Sequence, residues 1–203
     1  MDRRALIFSG IATFGLSACA TATPVGPAST DPNPATGPAA TPAATYTPEE
    51  LIQQGSDFMG VAAESMGAAL ERALREYGQP TAYIAGEEAS AAITIGARYG
   101  RGLLYMKDRP TTEVFWQGPS VGFDLGANAS RVFTLVYNLQ YPDAIFRRFP
   151  GVEGSAYMVG GLGVTYQRAE DIVLAPVRAG VGLRLGANVG YLVYSRQQNI
   201  LPF

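Results

Sequence analysis

The chain has 203 residues, with 15 basic and 17 acidic side chains, one cysteine and no histidine. Lack of histidine excludes Ser-His-Asp and Cys-His catalysis and the usual zinc and copper sites. A net charge of −2 gives no electrostatic case for a nucleic-acid partner.

Arg3 and Arg4 precede an apolar run from Ala5 to about Leu16 and then the small residues Ser17 and Ala18, the three parts of an export signal. The run is too short to cross a bilayer, which takes about 20 apolar residues. Leu16-Ser17-Ala18-Cys19 resembles a bacterial lipobox, whose cysteine receives a lipid and becomes the mature N-terminus. Residues 1–18 are thus the expected signal peptide and Cys19 the expected lipidation site. The competing reading is an ordinary secretory signal, because Ala18-Cys19-Ala20 also fits the small-x-small rule; Cys19 would then be incidental. Cleavage before Cys19 would take away Asp2, Arg3 and Arg4, leaving 13 basic and 16 acidic residues. Each acyl methylene contributes about 0.8 kcal/mol of membrane affinity, so a triacylated terminus anchors permanently. Ala20 is not the aspartate associated with inner-membrane retention, which points to the outer membrane.

Residues 19–46 form the anchor and a tether. From Ala20 to Tyr46 the chain is almost wholly Ala, Thr, Pro, Ser and Gly, a composition that cannot build a core. Extended at about 3.1 Å per residue, it would reach roughly 80 Å.

Residues 47–203 are the expected folded domain. Thr47-Pro48-Glu49-Glu50 reads as a helix start: an N-cap, proline at the first position and a capping box. Leu51, Phe58, Met59, Ala62, Met66, Ala69, Leu70, Ala73 and Tyr77 continue one apolar stripe until Gly78 and Pro80. The opposite face mixes acidic and basic residues, which favours packing on a sheet over lying on a membrane. After Pro80, strands are expected near Ala82–Ala85, Ala91–Arg98, Gly102–Met106, Glu113–Trp116, Val121–Ala127, Arg131–Asn138, Ala156–Val159, Gly163–Arg168 and Val181–Tyr194. Lys107-Asp108-Arg109-Pro110 reads as a hairpin turn, and Pro142–Phe149 as a short helix. The fold class is mainly β: a small antiparallel β-barrel with one N-terminal amphipathic helix and a short second helix. A transmembrane barrel is disfavoured by short strands and by Pro202 in the last one.

Val121-Gly122-Phe123-Asp124-Leu125-Gly126-Ala127-Asn128 recurs as Val181-Gly182-Leu183-Arg184-Leu185-Gly186-Ala187-Asn188. Glycines on one face of a strand permit coiling or close approach of another backbone. Asp124 and Arg184 hold the same slot of the two copies with opposite charge, and so are candidates for a salt bridge or a polar ligand pocket. Arg147 and Arg148, between Phe146 and Phe149, are candidates for contact with an anionic lipid headgroup or a phosphate. Glu87-Glu88 and Glu170-Asp171 read as solvated turn charges. The glycine clusters at 160–163 and 180–186 lack the spacing and following helix of a phosphate loop.

ITIGARYGRGLLYM (93–106), VFWQGPSVGFDLGAN (114–128), VFTLVYN (132–138) and GVGLRLGANVGYLVYS (180–195) together resemble the EipA family of bacterial envelope integrity proteins. More distantly, the same order is similar to SYLF (Ysc84-type) domains, some of which bind lipids. The EipA resemblance implies a small periplasmic β-barrel that supports envelope integrity without an established enzyme activity. The expected function is therefore non-catalytic envelope support through binding of a lipid, glycan or envelope protein; the alternative is lipid binding or transfer of SYLF type. No cofactor, metal or nucleic acid is expected. The expected location is the periplasm, lipid-anchored to the outer membrane; the alternative is a soluble periplasmic protein. In cells grown with labelled palmitate, the wild-type chain should take up label and Cys19→Ser should not. Unlabelled wild type would leave Cys19 inside a discarded signal.

Overall fold

The computed structural model describes residues 42–124, 129–152, 155–179 and 190–199, with side chains at all of these except 90–96 and 120–124. The signal, Cys19, nearly all of the tether and residues 181–188 of the internal repeat lie outside them.

Two helices come first, α1 (Pro48–Met59) and α2 (Ala63–Tyr77). The capping box is formed: Thr47 Oγ1 accepts from the Glu50 amide at 3.3 Å, and the Thr47 amide donates to Glu50 Oε2 at 2.7 Å. The expected single helix is divided at Gly60, whose left-handed backbone (φ 68°) ends α1 with its N–H donating to the Ser56 carbonyl. The apolar stripe continues across the break because both helices pack on the same surface, so periodicity alone does not reveal the division.

Among the described residues nine strands follow: β1 (Ala82–Met106), β2 (Thr112–Asp124), β3 (Ala129–Tyr137), β4 (Arg148–Pro150), β5 (Tyr157–Val159), β6 (Leu162–Val164), β7 (Gln167–Ala169), β8 (Ile172–Ala179) and β9 (Tyr191–Ser195). All pairings are antiparallel, in the order β4-β9-β2-β1-β3-β8-β6-β5, with β7 also on β8. The sheet curls until β4 reaches β7: Gly151 bridges to Gln167, and the Val152 amide donates to the Tyr166 carbonyl at 2.9 Å. The architecture is a small, mainly antiparallel β-barrel.

Three expected segments are one strand, β1. Its first half pairs with β3 (Ala82 opposite Val136 to Ala89 opposite Ala129) and its second with β2 (Ala92 opposite Asp124 to Leu104 opposite Thr112). Gly86 and Gly102 belong to this single strand yet touch. A Cβ on Gly102 would lie 2.8 Å from the Gly86 Cα and 2.6 Å from the Ala85 carbonyl oxygen. Sixteen residues of straight strand would separate them by about 50 Å, so β1 is bent back on itself, and glycine is what lets the backbones meet.

The sheet is buried on both faces over its centre. Tyr83, Phe133, Leu135, Tyr137, Val173, Ala175 and Val177 meet Leu51, Met66, Ala69, Leu70 and Ala73 of the helices. The alternate residues Ile84, Leu104, Val114, Trp116, Val132, Val136, Leu174 and Leu192, with Phe149 and Tyr194, fill the barrel interior. Strand β8 (IVLAPVRA) is thus buried nearly end to end. The sequence reading overlooks it because two-sided burial removes the alternation that marks a strand, and Pro176 reads as a breaker. The short second helix shrinks to a 3-10 turn at Pro142–Ile145. Arg148 and Phe149 then enter β4, since Phe149 is drawn fully into the interior core. The Lys107–Pro110 turn forms as expected, with Asp108 left-handed (φ 59°).

Two glycine-to-alanine changes should act in opposite directions. Gly86→Ala should lose about 1–3 kcal/mol by pressing a methyl against backbone. Gly67→Ala, in α2 with only ordinary contact to Ile52 at 3.5 Å, should gain about 0.5–1 kcal/mol. Urea unfolding of the two variants against wild type measures both.

Candidate functional site

Alternation along β1 turns Ile84, Gly86 and Glu88 into the barrel and leaves Glu87 exposed. Glu88 is 5% exposed, so the expectation of a solvated turn charge is overturned for this residue: β1 does not end at Ala85, and position 88 is mid-strand. Its carboxylate is fully engaged. Oε1 accepts from Arg178 Nε at 3.0 Å; Oε2 accepts from Arg178 Nη2 at 3.2 Å and from Trp116 Nε1 at 2.8 Å. Arg178 Nη1 donates to Thr165 Oγ1 at 3.1 Å. Arg98, on the returning half of β1, brings Nη1 to 3.8 Å from Glu88 Oε1.

Burial alone would raise the Glu88 pKa, but the charges of Arg178 and Arg98 and the hydrogen bonds from Arg178 and Trp116 outweigh it, holding the group down at about 2. The two arginines respond differently. Burial would lower the Arg178 pKa, yet its two-pronged bond to Glu88 leaves it raised; Arg98, buried with only a distant share of the same carboxylate, is lowered. Two guanidiniums thus share one carboxylate, and the group carries an excess positive charge on the side of Arg98.

Two clefts flank this group. One, of about 210 Å³, is mostly apolar and is lined by Glu87, Tyr99, Arg101, Phe115 and Gln198. The other lies where β4 meets β7 and is lined by Arg98, Thr165, Gln167, Gly151, Gly190 and Tyr191. The space in it that a water-sized group can occupy is about 20 Å³. Arg98 Nε and Gln167 Oε1, on two of the lining residues, are themselves fully buried and have no hydrogen-bond partner among the described residues.

The sequence-derived candidates are scattered. Cys19 and Arg184 lie outside the described residues; Asp124 ends β2 opposite Ala92, and its side chain is likewise outside them. Arg147 pairs with Glu170 at 2.6 Å, and Glu170 is an exposed turn residue as expected. Arg148 lies 4.2 Å over the ring of Tyr191, beside the second cleft. The interior group of Glu88, Arg98, Arg178 and Gln167 was not anticipated. The signal for it was present: Arg178 sits inside the apolar run of residues 172–179, and Glu88 keeps the inward parity of Ile84. Among the described residues, no three His, Cys, Asp or Glu side chains cluster as metal ligands. No helix there is long and apolar enough to cross a membrane.

Residues 44–203 match the family described as envelope integrity protein A, EipA. The chain belongs to the EipA family. The described barrel of this EipA-family chain is similar to a crystal structure of a beta-barrel-like, uncharacterized protein from Brucella abortus. That protein is 45% identical, with a TM-score of 0.72 over 79% of this chain and 100% of the other. No curated protein matches the EipA-family chain.

A carboxylate whose pKa is depressed on folding stabilises the native state above its unfolded value, near 4.5, and the benefit is lost as pH falls from there towards 2. Denaturant unfolding between pH 6 and pH 2 should therefore show wild type losing stability across that window, with a shallower loss in Glu88→Gln. At pH 7, Glu88→Ala should cost roughly 3–5 kcal/mol, because it strands buried guanidiniums.

Proposed function

We propose that this EipA-family chain is a non-catalytic, exported module that supports cell-envelope integrity by binding an envelope component at the mouth of its barrel. The observation carrying this reading is the contrast within the interior polar group. Its acid is locked ionised in a structural pair, the opposite of the raised pKa a general acid needs near neutrality. Its second arginine, Arg98, and the neighbouring Gln167 line a cleft, and each keeps one polar atom without a partner among the described residues. That is binding chemistry without a proton-transfer partner. The family description, envelope integrity protein A, supports the setting.

The barrel interior is filled by Leu104, Trp116, Phe149, Leu174 and Tyr194, which favours a ligand held at the surface over a lipid enclosed within. Arg148, beside the cleft, is the sequence-derived candidate best placed to join the contact. In this reading Cys19 carries the lipid that fixes the chain to the outer membrane from the periplasmic side, and residues 20–46 let the barrel range over its partner.

A strain lacking this gene should become sensitive to detergent and to cell-wall antibiotics. The wild-type gene should restore resistance, and Arg98→Met should restore it less well at equal protein level. A deletion strain indistinguishable from its parent would overturn the envelope role.

A further inference from the structure

The larger of the two clefts, about 210 Å³, is walled by two cross-strand pairs, Arg101 with Phe115 and Ala89 with Ala129. Alternation turns Val114 and Trp116 into the barrel and so points Phe115 outward. Its ring is only half-buried and belongs neither to the interior core nor to the core under the helices. Ala89, Ala129 and Gly100 project at most a methyl group, which keeps these walls apolar. An apolar cavity of about 150 Å³ already takes up a benzene ring. The cleft therefore has room for one bulky apolar side chain.

Its charges narrow the ligand further. Gly86 and Gly102 meet at backbone distance, and Glu87 and Arg101 adjoin that contact on the two halves of β1. Both side chains are exposed at the cleft. Neither takes part in an ion pair or a side-chain hydrogen bond among the described residues. An unpaired carboxylate beside an unpaired guanidinium repels part of any singly charged ligand. The two together favour a ligand that carries both signs.

We propose that this cleft binds an amino-acid zwitterion with a bulky apolar side chain. The side chain lies against the Phe115 ring, the carboxylate is turned towards Arg101 and the ammonium group towards Glu87. The site is separate from the cleft of Arg98 and Gln167, and no covalent step is involved.

A ligand of about a dozen non-hydrogen atoms, held by one apolar contact and two exposed charges, is expected to bind at about the millimolar level. Trp116 supplies one readout, being the only tryptophan of the chain and packed on Gly100 of the cleft wall. Saturation-transfer NMR supplies a second. The purified full chain is titrated with L-phenylalanine, phenylpropionate, phenethylamine and glycine. Phenylalanine should saturate, and the other three, each lacking one of the recognised groups, should bind at least threefold more weakly, the size of effect an exposed charge contact gives. Arg101→Met should weaken phenylalanine at least threefold without weakening phenethylamine. Glu87→Gln should weaken phenylalanine to the same degree without weakening phenylpropionate. Both positions are exposed, so circular dichroism should show the fold retained. The proposal is overturned if phenylalanine saturates in neither measurement, if any of the other three binds equally well, or if a variant shifts all ligands alike. A dimer seen by sedimentation and lost in Arg101→Glu would make a second copy the occupant and overturn it as well. None of these outcomes bears on the deletion strain, so the envelope role stands or falls separately.

Discussion

Inside the barrel, the carboxylate of Glu88 is held by two bonds from Arg178 and one from Trp116, tying β1 to β8 and β2 through a single buried anion. Removing these charges from water is expensive, and a buried pair is tolerated only when its geometry satisfies nearly every donor and acceptor. That requirement constrains the whole sheet. A slip of one residue in β1, β2 or β8 would turn Glu88, Trp116 or Arg178 to the opposite face and leave a buried charge unpaired. The ion pair therefore specifies register in three strands at once, whatever its net contribution to stability.

Closure of the barrel follows from a second constraint, space. β1 doubles back so that Gly86 and Gly102 meet at backbone distance, and Gly100 lies against the Trp116 ring. The same bend delivers Arg98 to Glu88, although nine residues of strand lie between them. Backbone clearance and charge pairing thus meet at one place, and the buried polar group is the product. The rest of the interior is filled by residues such as Leu104, Ile145, Phe149 and Leu174, while α1 and α2 cover the outer face of β3 and β8. With both faces of the central strands occupied by packing, the polar group borders two clefts, one lined in part by Arg98 and the other by Glu88.

Local chemistry was legible wherever neighbours in sequence settle the outcome. The Thr47–Glu50 capping box, the stop at Gly78 and the Lys107–Pro110 turn each need only a few adjacent residues, and all form. Most strands were found because one of their faces differs from the other. The division of the first helix was hidden because the apolar stripe runs through Gly60 without interruption. β8 was hidden for the opposite reason: a strand covered on both sides carries no alternation to detect. Glu88 read as a solvated pair with Glu87 only while β1 was taken to stop at Ala85; once the strand is continuous, parity alone puts position 88 inside.

By itself, then, the sequence determined the capping box, the mainly β character and the exclusion of histidine chemistry, because composition and short-range spacing decide each of these. Only the tertiary structure decided that Arg98 and Arg178, 80 residues apart, share the carboxylate of Glu88, and that Gln167 and Arg98 face one small cleft. Such meetings depend on how far β1 bends and on which strands close the barrel. Those are long-range outcomes of backbone clearance and buried-charge pairing, and no local pattern encodes them.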